Sequence, residues 1–293
     1  MTRRETLKQI IHFPLTRIII GLVVVGGLVA LVETTRNFFA DKITLSIETQ
    51  NWIVAVADVA IALSSYILLY RFYEKRQVRE LSAAGFGGNA LAGFLSGLIL
   101  QSLVIFVIYL AGGYSILRVN PVSFLIPGFI AAITAGFVAE ILLRGILFRL
   151  MEEKLGTVIT LIFFAVLFAI LHAGNGATFF SVLSKASQAG ILFSAVYVFS
   201  RSLWFPIFLH FAWDLAEPGI YGALNPGISI DKYLFTSRIS GSAWLTGGEA
   251  GPGGSVQTSV FCLIAALLFL WGAKRKNNFI SPYWKRRRSE QVS

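Results

Sequence analysis

Charge is what this sequence lacks. Of its 293 residues 14% are Asp, Glu, Lys or Arg, where a soluble domain carries about a quarter. With 56% hydrophobic residues and a mean hydropathy of +0.72, too little polar surface is left for a water-soluble globule. A polytopic membrane protein is the class that fits. Cysteine is nearly absent as well: Cys262 is the only one, within an apolar run, which excludes a disulfide scaffold. No cleavable signal is expected. Arg3, Arg4 and Lys8 precede a first apolar stretch that is too long and has no small-residue cleavage site. The net charge of +10 raises nucleic acid as a partner. However, the cations sit in short tracts between apolar runs, where they set membrane orientation, so no nucleic acid is expected.

What the chain does have is apolar runs of membrane-crossing length, about 20 residues each. Eight can be drawn, near Phe13–Val32, Trp52–Tyr70, Asn89–Leu110, Phe124–Phe148, Thr157–His172, Ser184–Phe199, Leu203–Leu215 and Val256–Gly272. The predicted fold is all-α: one membrane domain over residues 1–293, a polytopic helical bundle of about eight transmembrane helices joined mostly by short connections. With the N-terminus inside, 18 Lys and Arg fall on the inner side and six on the outer, leaving Arg144 in the membrane. Both termini are therefore expected in the cytoplasm. Residues 217–255 form a Gly- and Pro-rich outer loop whose TGGEAGPGGS lacks the GK[ST] ending of a phosphate loop, and a flexible connection is expected there. Residues 274–293 form a basic cytoplasmic tail, in which Tyr283 and Trp284 lead into KRRR. It reads as a positive-inside stop signal that can also lie on anionic lipid headgroups.

Within the fourth run, GFVAEILLRG at 136–145 places Glu140 and Arg144 among apolar residues. A charge at the centre of a membrane helix costs about 2.5–3.5 kcal/mol. Leu or Ile there would anchor the chain at no such cost. The other ionisable groups in apolar runs are Asp58, His172, His210 and Asp214, of which Asp58 reads as structural. Glu140 and Arg144 are four apart and share a helix face, with the acid first as an ion pair prefers. His210 and Asp214 repeat the interval, as do Phe168 and His172, so that the Phe168 ring is expected to pack on the imidazole.

Gly156 reads as the stop of the fourth helix, with Thr157 opening the next. Glu140 lies sixteen positions before that glycine and His172 sixteen after it, about 24 Å of helix in each arm. The depth of His210, close behind Arg201, matches less obviously and requires a seventh helix that is tilted or starts deep. Two readings stand for these groups. Glu140 with Arg144 is a self-neutralising structural pair, and Asp214 merely fixes the His210 tautomer. Alternatively, the groups mark a functional path, which is the default for ionisable residues inside a membrane.

The order AEILLRG, FAILH, HFAWD resembles the EExxxR, FxxxH and HxxxN/D motifs of the CPBP intramembrane proteases. That family includes the CAAX prenyl endopeptidases and bacterial relatives linked to bacteriocin processing and self-immunity. The resemblance covers about Phe124–Glu217, the expected catalytic-core helices. It implies a hydrolase acting on a membrane-tethered or prenylated peptide among membrane lipids. It also implies the site residues Glu140, Arg144 (structural and electrostatic), His172, His210 and Asp214. The family's first glutamate, held to activate the hydrolytic water, falls on Ala139, whose methyl group can neither accept a proton nor bind water. The resemblance implies no cofactor. Zinc on Glu140, His172 and His210 is a lesser option by ligand type, without HExxH spacing. Two functional classes follow: an intramembrane endopeptidase, or a catalytically silent relative that binds a peptide as an immunity or scaffold protein. A transporter is a weaker third, suggested only by buried charge.

Overall fold

The computed structural model describes residues 11–39, 42, 44–174, 177–225, 228 and 230–290. Arg3, Arg4 and Lys8, and the side chains of Arg287 and Arg288, lie outside the described residues. The helices run α1 (Pro14–Phe39), α2 (Ile47–Phe72), α3 (Phe86–Leu110), α4 (Ile126–Glu140), α5 (Arg149–Leu171), α6 (Phe179–Lys185), α7 (Phe193–Ser200), α8 (Trp204–Asp214), α9 (Ala243–Thr246), α10 (Val256–Arg275) and α11 (Tyr283–Glu290). Wider π-helical turns extend three of them, at Ile141–Phe148 after α4, Ala186–Leu192 between α6 and α7, and Leu215–Ile220 after α8. The architecture is an all-α polytopic bundle with one small sheet.

Among the described residues six stretches are long and apolar enough to cross a membrane, against about eight expected. One of the six, Val122–Leu171, holds two expected spans. They meet at Gly156, whose φ of +78° breaks the helical path where the sequence placed its stop. A Cβ there would lie 2.7 Å from the Pro282 nitrogen, so only glycine fits. The other discrepancy is the seventh expected span. It has 11 residues of α-helix and six of π-helix, too short for a full crossing by itself.

The chain divides into two compact units. The first comprises Met1–Arg79, Phe137–Thr160 and Phe279–Ser293. The end of α2 and the start of α5 meet in it through a dense ionic network. Arg17 bonds Glu74 at 2.8 Å and Glu153 at 2.9 Å, while Arg149 and Arg76 bond the other Glu74 oxygen at 3.2 and 3.1 Å. Arg149 also stacks 4.4 Å over the Tyr70 ring, and the Tyr66 hydroxyl donates to the Gly145 carbonyl at 2.9 Å. Burial pushes the Glu74 carboxyl up, but Arg149 and Arg17 outweigh it and hold the group below the ordinary carboxylate value.

The second unit comprises Glu80–Gly136 and Leu161–Asn278. Its core joins Val104 of α3, Val196 of α7, Phe205, Leu209 and Trp213 of α8, and Cys262 of α10. Small residues bring α8 into backbone contact with its neighbours. A Cβ on Gly93 or Gly97 of α3 would lie 2.4 Å from the Phe205 carbonyl or 2.3 Å from the Leu209 carbonyl. Ascending numbers pair with ascending numbers, so α3 and α8 run parallel. On α4, Gly136 faces Ile207 and Phe211 while Gly128 faces Gly219, an antiparallel pairing. At the far end β1 (Tyr114–Val119) pairs antiparallel with β2 (Phe235–Ile239), from Tyr114 opposite Ile239 to Val119 opposite Phe235. The loop expected to be flexible is instead tied down. Leu234 N–H donates to Gly219 at 2.8 Å, and Ser237 and Asn120 side chains bond the Tyr221 and Tyr233 carbonyls at 2.7 and 2.9 Å.

Two stability predictions follow from these contacts. Gly97→Val should cost about 3 kcal/mol, the upper end for overpacking, whereas Gly27→Ala, with nothing within 4 Å of its Cβ, should be neutral. Thermal unfolding in detergent reads both. For Glu74 the depressed folded-state pKa gives a stabilisation that is full above the ordinary carboxylate range and drains as pH falls through the lowered value. Glu74→Gln should lose about 3 kcal/mol at pH 7, the low end for breaking a buried pair, because half-buried Arg17, Arg76 and Arg149 lose the charge they share. It should also flatten the acid limb of the stability profile.

Candidate active site

Glu140 is the last residue of α4 and Arg144 lies in the π-helical turn that follows. Both are fully buried, and Arg144 Nη1 meets Glu140 Oε1 at 3.1 Å. The i,i+4 spacing read from the sequence therefore forms an ion pair even though the backbone widens across it. Buried charge survives only with such a partner. Wide turns of this kind gather at functional sites, and this one adjoins the first motif. Ala139, next to Glu140, is half-buried, with only a methyl group where the resembling family carries its first glutamate. These residues belong to the first unit.

His172, His210 and Asp214 belong to the second unit. His172 stands just past the end of α5 and is exposed. Its ring stacks on Phe168 at 6.1 Å between centroids and 17° between planes, as the four-residue spacing predicted. Its Nδ1 lies 2.9 Å from the Phe168 carbonyl. A carbonyl can only accept, so Nδ1 carries the proton and Nε2 is the nitrogen able to take one up.

His210 projects from the middle of α8. Because α3 and α8 run in parallel register, the Leu209–His210 level coincides with Gly97, halfway along α3. Phe205, in the first turn of α8, lies level with Gly93, seven residues into α3. His210 Nε2 meets Asp214 Oδ2 at 3.2 Å, and its ring packs against Phe193 at 5.1 Å. With an ionised Asp214, Nε2–H is the donor to Oδ2. To donate from Nδ1 towards a developing oxyanion, the imidazole must then carry both protons, or Asp214 must carry one.

Sequence reasoning overlooked two neighbours of this pair. Asn225 Nδ2 donates to Asp214 Oδ1 at 3.3 Å and to Glu217 Oε2 at 3.4 Å. Glu217 is buried in the π-helical turn after α8, and its Oε1 accepts the Gly253 N–H at 2.5 Å. The available signal was an acid three positions after the HFAWD motif, followed by a glycine cluster. Among the described residues no group of three or more His, Cys, Asp or Glu is arranged to hold a metal ion.

Residues 121–216 match the family model described as type II CAAX prenyl endopeptidase Rce1-like. That segment is Rce1-like. The match agrees with the resemblance to the CPBP intramembrane proteases and takes in Ala139, Glu140, Arg144, His172, His210 and Asp214. It ends one residue before Glu217, so Glu217, Asn225 and Gly253 lie outside the Rce1-like segment. No curated protein and no solved structure matches the chain.

Proposed function

We propose that this chain is an integral-membrane peptidase of CAAX type that hydrolyses a membrane-tethered or prenylated peptide. The observation that carries the reading is the Rce1-like segment with all but one of its motif residues in place. In this reading His172 Nε2 takes the proton of the attacking water. His210, oriented by Asp214, faces the oxyanion that forms on the scissile carbonyl. Arg144, paired with Glu140 at 3.1 Å, holds that carboxylate in place. No metal is invoked.

A second reading rests on a specific observation. Ala139 stands where the family's water-activating glutamate belongs. Neighbouring helix positions point about 100° apart, so Glu140 does not simply replace it. The chain would then bind such a peptide without cutting it. Paired cleavage assays in proteoliposomes, with a prenylated peptide library, decide between the two. The endopeptidase reading expects turnover by the chain as it stands, lost by at least about 100-fold in His172→Ala, as general acid–base groups contribute 10²–10⁴-fold. Turnover only after Ala139→Glu supports the silent relative. Turnover unaffected by His172→Ala sinks the mechanism.

We also propose that both termini face the cytoplasm, on the asymmetry of Lys and Arg. An impermeant maleimide applied to intact cells should label Asp231→Cys and spare Lys276→Cys. Labelling of the latter alone reverses the topology. The native Cys262 is buried and leaves a low background.

A further inference from the structure

The TGGEAGPGGS stretch, which the sequence left without a role, wraps a buried carboxylate. A Cβ on Gly253 would lie 2.9 and 3.0 Å from the two Glu217 oxygens, so the residue at 253 has no side chain because Glu217 occupies that space. Gly251, at φ +70°, would strike the Leu224 carbonyl at 1.8 Å and also approaches Glu217 Oε1 at 3.4 Å. The turn is held from both sides: the Gly253 amide donates to Glu217 and its carbonyl accepts from Ser184 of α6, each at 2.5 Å. The Thr258 hydroxyl, at the start of α10, donates to the Pro252 carbonyl at 2.9 Å.

From Glu217 the contacts continue without a break to the imidazole. Asn225 spans Glu217 and Asp214, and Asp214 holds His210. Asn225 has one amide nitrogen and offers it to both acids. Neither carboxylate can donate to the other when ionised, so the bridging amide is what makes their proximity tolerable. We propose that Glu217 is a positioning residue: cradled by Gly253, it fixes Asn225, and through Asn225 it fixes the orientation of Asp214 and the tautomer of His210. The glycine-rich loop is thereby wired to the site. The inference rests on His210 being a site residue, as argued above.

The test uses the full chain in lipid nanodiscs with ¹⁵N-labelled histidine. The sequence has three histidines, His12, His172 and His210, so the ring signals are few, and His210→Asn assigns its own by deletion. In the unaltered protein, His210 should show one protonated and one unprotonated ring nitrogen as separate signals. In Glu217→Gln the amide can accept from Gly253 or from Asn225 but not from both. Asn225→Ala removes the bridge, and Gly253→Ala presses a methyl group onto the carboxylate. Each should shift the His210 signals towards the tautomer average and leave those of His172 unmoved. The Glu217→Gln, Asn225→Ala double variant should shift them no further than the larger single change. His210 signals that stay put in folded variants overturn the proposal, even where the melting temperature falls, since that outcome makes Glu217 a strap alone. Additive shifts in the double variant overturn it too, because Glu217 then acts by another route. Should Glu217→Gln fail to fold, Asn225→Ala and Gly253→Ala decide on the same criterion. Cleavage plays no part in the readout. Absent cleavage with a coupled His210 counts against the peptidase reading, and an uncoupled His210 counts against this one.

Discussion

The carbonyls of Phe205 and Leu209 occupy the places where side chains on α3 would begin, and glycines at 93 and 97 make room for them. Gly136 and Gly128 do the same from α4. In a bilayer there is no hydrophobic gain from pressing one apolar helix on another, so association rests on close packing, which small residues permit. That constraint explains how a helix too short to cross the membrane alone is held inside the bundle. It also sets where His210 sits. A bulkier α3 would push α8 outward and carry the imidazole with it.

The second theme is that every acid described in detail has a specific partner. Glu140 has Arg144, Glu74 has three arginines, Asp214 has His210 and Asn225, and Glu217 has a backbone amide. Desolvating a lone carboxylate costs several kcal/mol, and partners of this kind offset that cost rather than add net stability. The retention of such pairs in so apolar a chain therefore argues for use rather than for strength. The two kinds of partner differ in what they permit. An arginine presents a fixed charge to its acid, whereas a neutral imidazole or an amide presents only a hydrogen bond.

Much of this was legible in the sequence, and the reasons are specific. Four-residue spacing predicted the Glu140–Arg144 pair, the His210–Asp214 pair and the stacking of Phe168 on His172, because helix geometry fixes such neighbours wherever the helix goes. Gly156 announced its break because it falls between two apolar runs, each long enough to be a separate helix. The count of spans was harder, since hydropathy does not reveal that α8 is short and clasped by glycines. The Gly- and Pro-rich connection was read as flexible because glycine signals both freedom and tight fit. Only the position of Glu217 tells which. Arg17 and Arg149 were counted among the orientation charges, and nothing local in the sequence shows that distant helix ends converge on Glu74.

The break at Gly156 carries the chain's last segment with it. Thr157 N–H donates to the Ile280 carbonyl at 3.0 Å, the Ile280 N–H returns to the Thr157 hydroxyl at 2.8 Å, and that hydroxyl donates to Glu152 at 2.6 Å. The turn between two membrane arms is thus stitched to a strand of backbone some 120 residues further on. A truncation ahead of Phe279 would unpick the hem of the hairpin, leaving the Thr157 amide without its acceptor and the Thr157 hydroxyl without its donor.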